Sequence, residues 1–273
     1  MRNCLILIFV LSFFGCESNR NEDNSAVNPI LKSPFDLVNT FIGTGGHGHT
    51  FPGATAPHGM VQLSPDTRLE GWDGCGGYHY TDSIIFGFSH THLSGTGIPD
   101  YGDVLLTPFT GDKINLEDAI QRITAPSHFD KSTEKAHPGY YSVFLENHDL
   151  AVELSTTERT GMHRYVNLSE DELHVLIDLR HRDKLRGYEI DFVSDRVIRG
   201  KRISQAWANE QHVYFYMEFS APFHVTPFSN NESVDSIRKQ FAQLSFGALD
   251  SLLVKVGISA VDIAGAQQNL EIE

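Results

Sequence analysis

The sequence predicts an all-β protein, a large antiparallel β-sandwich with few short helices. Two observations carry this. About a dozen short apolar or alternating segments of ordinary strand length follow one another between Gly, Pro and polar turns. Helical periodicity is scarce, and there is no internal repeat of fixed period. Many short strands separated by turns favour stacked antiparallel sheets over a parallel sheet with crossover helices.

The elements follow in order. Residues 1–16 read as an export signal. Met1-Arg2-Asn3 is a short basic start, and Cys4 to Phe14 is apolar but too short to span a bilayer as a helix. Phe13-Phe14-Gly15-Cys16 resembles a bacterial lipobox, with Cys16 lipidated and the alternative a plain signal or uncleaved anchor. Residues 17–34 are a polar, acidic tether. Residues 35–262 carry the sandwich, beginning with weak alternation over Gly59 to Leu63 before Ser64-Pro65-Asp66. Ile84 to Phe88 and Val104 to Leu106 are short apolar strands. Tyr140 to Leu145, Leu150 to Leu154 and Thr160 to Val166 are successive strands, and His174 to Leu179 is a buried one. Arg196 to Ile203, Val213 to Phe219, Phe241 to Phe246 and Ser251 to Val261 complete the series. Ser233 to Gln240 can form a short helix, and Ile263 to Glu273 can begin one that leads into a linker.

Hydrophobic content of 40% and aromatic content of 11% are enough for a sizeable core. The net charge of −14 repels phosphate backbones and argues against nucleic-acid binding. With Cys4 in the signal and Cys16 lipidated, Cys75 stands alone. That excludes an intrachain disulfide and a multi-Cys zinc site in the mature protein.

Phe41 to Tyr101 is dense in Gly, His, Asp and Trp, the composition of a binding surface rather than of connecting loops. His47-Gly48-His49 and His90-Thr91-His92 hold two His-x-His pairs. On extended backbone each pair faces one side, so four imidazoles can meet on a metal and support a metal hydrolase. The plainer reading has each His holding a loop or a ligand hydroxyl by hydrogen bonds. Trp72, flanked by Gly71 and followed by Asp73, can stack on the apolar face of a sugar whose hydroxyls Asp73, Asp66 and Arg68 bind; alternatively Trp72 is a core aromatic. Asp66, Asp73, Asp100 and Asp103 include enough carboxylates for glycoside hydrolysis, although loop Asp residues are commonly turn formers. Cys75 among glycines reads as a packing residue before a nucleophile.

The segments VNTFIGTGGHGHTFPGATAPHGMVQLSPDTRLEGWDGCGGYHY, GFSHTHLSGTGIPDYGDVLL, HPGYYSV, RTGMHRY, IDLRHRD and VKVGISAVDIAGAQQNLEIE resemble the N-terminal domain of glycoside hydrolase family 92. The likeness runs over about residues 35 to 273. It implies a supersandwich-like β-domain that packs on a C-terminal (α/α)6 barrel. The family's members are exo-acting α-mannosidases, many from glycan-foraging Bacteroidota, inverting and calcium-dependent, acting on α-mannosides of glycans such as N-glycans. In the resemblance the acid, the base and the main calcium ligands lie on the barrel, outside this chain, so no catalytic or metal-binding residue is assigned here. What it carries over is one wall of the terminal mannose subsite: Asp66, Arg68, Trp72 and Asp73 foremost, with Cys75 in the same turn, then His47, His49, His92, Asp100 and Asp103. The chain alone is then expected to be inactive. Its partners are α-mannoside glycans, a barrel in cis or from an adjacent gene, and a membrane reached through the lipid. It is expected in the outer membrane or periplasm, or at the cell surface. A stand-alone sugar-binding lipoprotein is the alternative from the binding class.

Overall fold

A computed structural model describes residues 33–115, 117–118, 124–226 and 239–273. The signal segment, Cys16 and most of the tether lie outside these residues, as does most of the expected helix at Ser233 to Gln240.

Strands are numbered β1 to β17 in chain order. One sheet runs β1 (Ala54–Thr55), β2 (Gln62–Asp66), β4 (Gly87–Ser89), β5 (Leu105–Thr110), β11 (Leu173–Asp178), β16 (Phe241–Ser245) and β15 (His224–Val225). The other runs β12 (Lys184–Phe192), β13 (Val197–Gln205), β14 (Gln211–Phe219), β17 (Ser251–Ser259), β10 (Thr160–Asn167), β9 (Leu150–Thr156), β8 (Tyr140–Leu145) and β7 (Lys135–His137). β3 (Ile84–Ile85) and β6 (Ser127–His128) form a small separate pair. Every pairing in the two large sheets is antiparallel. The sandwich predicted from sequence is therefore the observed fold.

The period-2 pattern shows why. In β8 and β14 buried and part-exposed residues alternate, so one face packs inward. Tyr141, Val143, Val213, Phe215 and Met217 enter one continuous core with Val175, Ile177 and Val256. β11 is buried at every position, as expected of a strand covered on both faces.

Some boundaries differ from the sequence reading. β2 continues through Pro65 instead of stopping before it. Pro65 pairs with Phe88 on one side only, where β1 has already ended, so its missing N–H leaves no ladder bond unmade. β12 went unread because its sequence carries four charged residues in nine and lies at a sheet edge.

Helix α1 (Ile263–Ile272) is capped by Asp262, whose carboxylate accepts the Gly265 N–H at 2.6 Å. It buries Ala266 and Leu270 against the outer face of the eight-stranded sheet. Gly257 in β17 permits this, since a Cβ there would lie 2.8 Å from Leu270 Cβ.

Polar groups also cross between the sheets. His90, just after β4, faces His163 of β10 with Nε2 to Nε2 at 3.0 Å, and His163 Nδ1 meets Tyr165 Oη at 2.9 Å. Burial keeps both imidazoles neutral: His90 is lowered to about 4 and His163 lies well below its usual value. His90 Nδ1 must donate to the Val104 carbonyl at 2.7 Å. Its Nε2 therefore accepts from His163 Nε2–H, and His163 Nδ1 accepts from the Tyr165 hydroxyl.

Candidate functional site

Loops from both sheets meet at one end of the sandwich and form a buried floor under an exposed rim. Asp66, the last residue of β2, is at the centre of the floor and fully buried. Its Oδ2 accepts from the Ser89 N–H at 3.2 Å and the Ser89 hydroxyl at 2.6 Å. Its Oδ1 faces His181 Nε2 at 3.2 Å, His92 Nε2 at 3.4 Å and Arg182 Nη1 at 4.0 Å. Burial alone would raise this carboxyl, but His181 and His92 hold it well below the usual carboxylate range. Gly77, at φ +88°, makes room: a Cβ would meet Asp66 Oδ1 and His92 Cδ2 at 2.8 Å and Arg182 Nη1 at 2.9 Å.

A second buried cluster adjoins it. Asp103 pairs with Arg202, and both side chains are inaccessible. Asp103 also accepts from Thr91 Oγ1 and Gln211 Nε2, each at 2.6 Å. Arg202 donates onward to the carbonyls of Leu179 at 2.9 Å and His181 at 2.7 Å. Asp100 accepts the N–H groups of Trp207 at 2.9 Å and Ala208 at 2.8 Å. Asp183 accepts the Tyr101 N–H at 3.1 Å. Burial pushes its carboxyl up to about 6; Arg202 opposes this, and Asp103 and Asp100 add to it.

Three non-glycine residues here have positive φ: Tyr101 at 81°, Val104 at 58° and Arg182 at 61°. For a β-branched residue such as Val104 this conformation is costly and needs surrounding bonds to hold it. Such strain concentrates where a fold is committed to one local geometry.

Arg182 connects floor to rim. Its Nη2 donates to the carbonyls of Gly74 at 3.3 Å and Cys75 at 3.1 Å. These are the last residue and the C-cap of the 3₁₀ turn Trp72–Gly74, entered through Gly71 at φ +88°. Arg68 supports the same turn with its stem, because a Cβ on Gly74 would lie 2.6 Å from Arg68 Cγ. The Arg68 guanidinium binds the Asp82 carboxylate through both Nε and Nη2. Cys75 is buried, and burial raises its thiol pKa, which disfavours the thiolate.

On the rim, Trp72 is 59% exposed. His49 meets it edge-on at 4.3 Å and His47 lies at 5.8 Å. His47 Nδ1 sits 2.9 Å from Asp73 Oδ1, and this hydrogen bond lowers the Asp73 carboxyl. Gly97 comes so close that a Cβ on it would collide with Trp72 Nε1.

The sequence-predicted residues thus separate. Trp72, Asp73, His47 and His49 come together on the rim. Asp66 and His92 meet in the floor, and Asp100 and Asp103 in the second cluster; Arg68 and Cys75 lie under the turn. The four imidazoles do not converge: His47 goes to Asp73, His49 to Trp72, His90 to His163 and His92 to the Gln62 carbonyl at 2.7 Å. Among the described residues no group of three or more His, Cys, Asp and Glu side chains is placed to hold a metal ion. Both oxygens of Asp100 and of Asp103 are taken up by donors of this chain, and Asp66 Oδ1 faces the His181 imidazole and the Arg182 guanidinium, so these residues do not by themselves fit calcium.

His181, Arg182 and Arg202 escaped the sequence reading. The Arg180-His181-Arg182-Asp183 run gave a usable signal: four ionisable residues directly after a wholly buried strand must lie at a sheet end, where loops gather. Arg202 gave none, since it reads as an ordinary outward strand residue.

The comparisons with known proteins agree with this architecture. Residues 37–259 match the glycosyl hydrolase family 92 N-terminal domain. The chain belongs to glycosyl hydrolase family 92. It resembles a family GH92 α-mannosidase of Bacteroides thetaiotaomicron, solved in complex with mannoimidazole, with TM-score 0.78 and 33% identity. That match covers 87% of this chain and 34% of the mannosidase. A family GH92 inverting mannosidase of Bacteroides thetaiotaomicron VPI-5482 matches with TM-score 0.70 and 26% identity, over 89% of this chain and 34% of that one. An uncharacterized secreted glycosidase of Arthroderma benhamiae is 34% identical over 134 residues, 47% of this chain and 16% of the relative. This member of the family therefore spans about a third of the length of its solved relatives.

Proposed function

We propose that this domain forms one wall of the terminal mannose subsite of an inverting exo-α-mannosidase, acting on α-mannosides of glycans such as N-glycans. The observation that carries the proposal is the rim. Trp72 offers an indole face to solvent, yet its turn is fixed from below by Arg182 and Arg68, and Asp73 presents a carboxylate beside it. An indole takes the apolar C–H face of a pyranose, and an adjacent carboxylate accepts from its hydroxyls. Fixing the turn beforehand reduces the entropy lost on binding. The α-mannosidase named among the similar structures supports the choice of sugar.

Asp66, Asp100 and Asp103 are too enclosed to exchange protons with a substrate; they hold loops. Inverting hydrolysis needs an acid and a base on either side of the bond with space for water. Both belong, in this reading, to a barrel that packs against the rim end, in cis or on a second chain. Calcium binds on that side too. Exposed Ile42, Leu69 and Tyr80 give the barrel apolar surface to cover. Export as a lipoprotein through Cys16 completes the reading, and the secreted fungal relative supports export.

The test is to assay release of mannose from an aryl α-mannoside by the chain, by a family 92 barrel domain, and by the two together. Hydrolysis only in the mixture, reduced by about a hundredfold in kcat/KM on Trp72→Ala, is expected. Full activity of the chain alone would refute the reading. So would an active mixture indifferent to Trp72→Ala and Asp73→Ala. Sugar binding by the chain with no activity in the mixture would favour a stand-alone binding protein.

A further inference from the structure

Trp207 is 79% exposed, at the tip of the hairpin joining β13 and β14. A single exposed aromatic is ordinary. The way this one is held is not. Both oxygens of the buried Asp100 carboxylate accept backbone N–H groups of the tip, those of Trp207 and Ala208. The tip is thereby fixed from another loop while the indole stays in solvent.

That loop is the one that backs Trp72. It is closed at its base by the bridge between His92 and Tyr101 and by the Gly102 N–H to the Thr91 carbonyl at 2.8 Å. Gly95 N–H bonds the His49 carbonyl at 2.7 Å and Gly97 abuts Trp72 Nε1. From Gly97 to Asp100 the chain reaches at most ~11 Å. One short segment therefore positions both exposed indoles, one against each end.

A second observation lies at the root of the same hairpin. The ladder between β12 and β13 shifts register between Leu185 and Gly187, leaving Arg186 as the extra residue of a bulge. Bulges redirect side chains. Here the exposed Arg186 guanidinium lies on Gln205 Oε1, two residues before Trp207. An exposed indole on a tip whose base carries a held guanidinium and amide has the chemistry of a second platform for a neutral sugar ring.

We infer that Trp207, with Arg186 held on Gln205 at the base of its tip, is a distal subsite for the leaving-group side of the glycan. It takes a hexose beyond the terminal mannose that Trp72 contacts. The inference rests on the mannose-wall reading above and adds to it a preference for oligosaccharides over simple mannosides.

The chain has two tryptophans, so each single-tryptophan variant reports on one platform. In Trp72→Phe the emission comes from Trp207; in Trp207→Phe it comes from Trp72. Both variants are titrated with methyl α-mannoside and with an α-mannotetraose. Trp72 emission should respond to both sugars and Trp207 emission to the tetraose alone. Trp207→Ala should weaken tetraose binding by about tenfold and leave methyl α-mannoside binding unchanged. A silent Trp207 with a responsive Trp72 overturns the distal subsite and leaves the mannose wall standing. An equal response of Trp207 to the monosaccharide also overturns it. Silence of both indoles overturns the distal subsite, and the mannose wall then stands or falls on the mixture assay above.

Discussion

The rim and the floor of the site use the same residue types in opposite ways. On the rim, Asp73 pairs with His47 at 2.9 Å where the imidazole is 83% exposed. In the floor, Asp66 faces two histidines and an arginine with none of its side chain accessible. The rim pair can exchange its partner for a ligand at little cost, since exposed ion pairs contribute little. The floor groups cannot: removing one strands a charge away from water. Asp and His in a Gly-rich stretch therefore serve both recognition and scaffolding, and burial separates the two.

Substitutions can break or sharpen this contrast. The largest effect is expected in the second buried cluster. Arg202→Met should cost about 3–5 kcal/mol, read by chemical denaturation, because Asp103 is left buried without its cationic partner. Adding Asp103→Leu should recover part of that loss. A single-variant cost under about 1 kcal/mol would mean the pair is not enclosed as described.

Acid provides the next test. The folded His90 titrates at about 4, below its ordinary 6.5, so the unfolded chain takes up the proton first as pH falls. Stability is complete above pH 6.5 and declines down to pH 4, by about 3 kcal/mol for this group. Asp66, also lowered, adds a further loss beginning as pH falls below about 3.8. Denaturation midpoints that stay level between pH 6.5 and 4 would contradict the buried neutral chain.

Gly77→Ala comes third. Its φ of +88° and the three floor atoms within 2.9 Å predict a loss of about 1–3 kcal/mol by thermal melting. The smallest change in stability is expected on the rim. His47→Ala should shift folding by no more than about 0.5 kcal/mol. Trp72→Ala should leave stability nearly unchanged while reducing mannoside affinity about tenfold, which calorimetry would measure.

The fold was readable wherever a strand has one wet face and one dry face. Tyr140–Leu145 was placed to the residue, and β9, β10, β14 and β17 to within about two at their ends, within ordinary boundary error. Edge strands were not readable: Lys135–His137 and Lys184–Phe192 carry charges toward solvent, and alternation fades. The rim was readable because Gly-Trp-Asp-Gly is unusual in local composition. Half of the floor was not, since His181 and Arg202 reach it from segments remote in sequence from Asp66 and Asp103. Depth was unreadable as well: Asp73 and Asp103 look alike in one dimension, and only the opposite sheet decides which is covered.

The His90, His163 and Tyr165 chain has a consequence for how the sheets are aligned. Apolar contact is without direction, so a greasy interface alone tolerates one sheet sliding over the other by a fraction of a residue. A file of hydrogen bonds with a single permitted order of donors and acceptors does not. It acts as a dowel between two boards. Because loop 93–100 hangs from one sheet and the Trp207 hairpin from the other, the dowel helps keep the hairpin tip in register with the Asp100 carboxylate that holds it. The geometry of the recognition surface is fixed, in part, by three side chains that no ligand reaches.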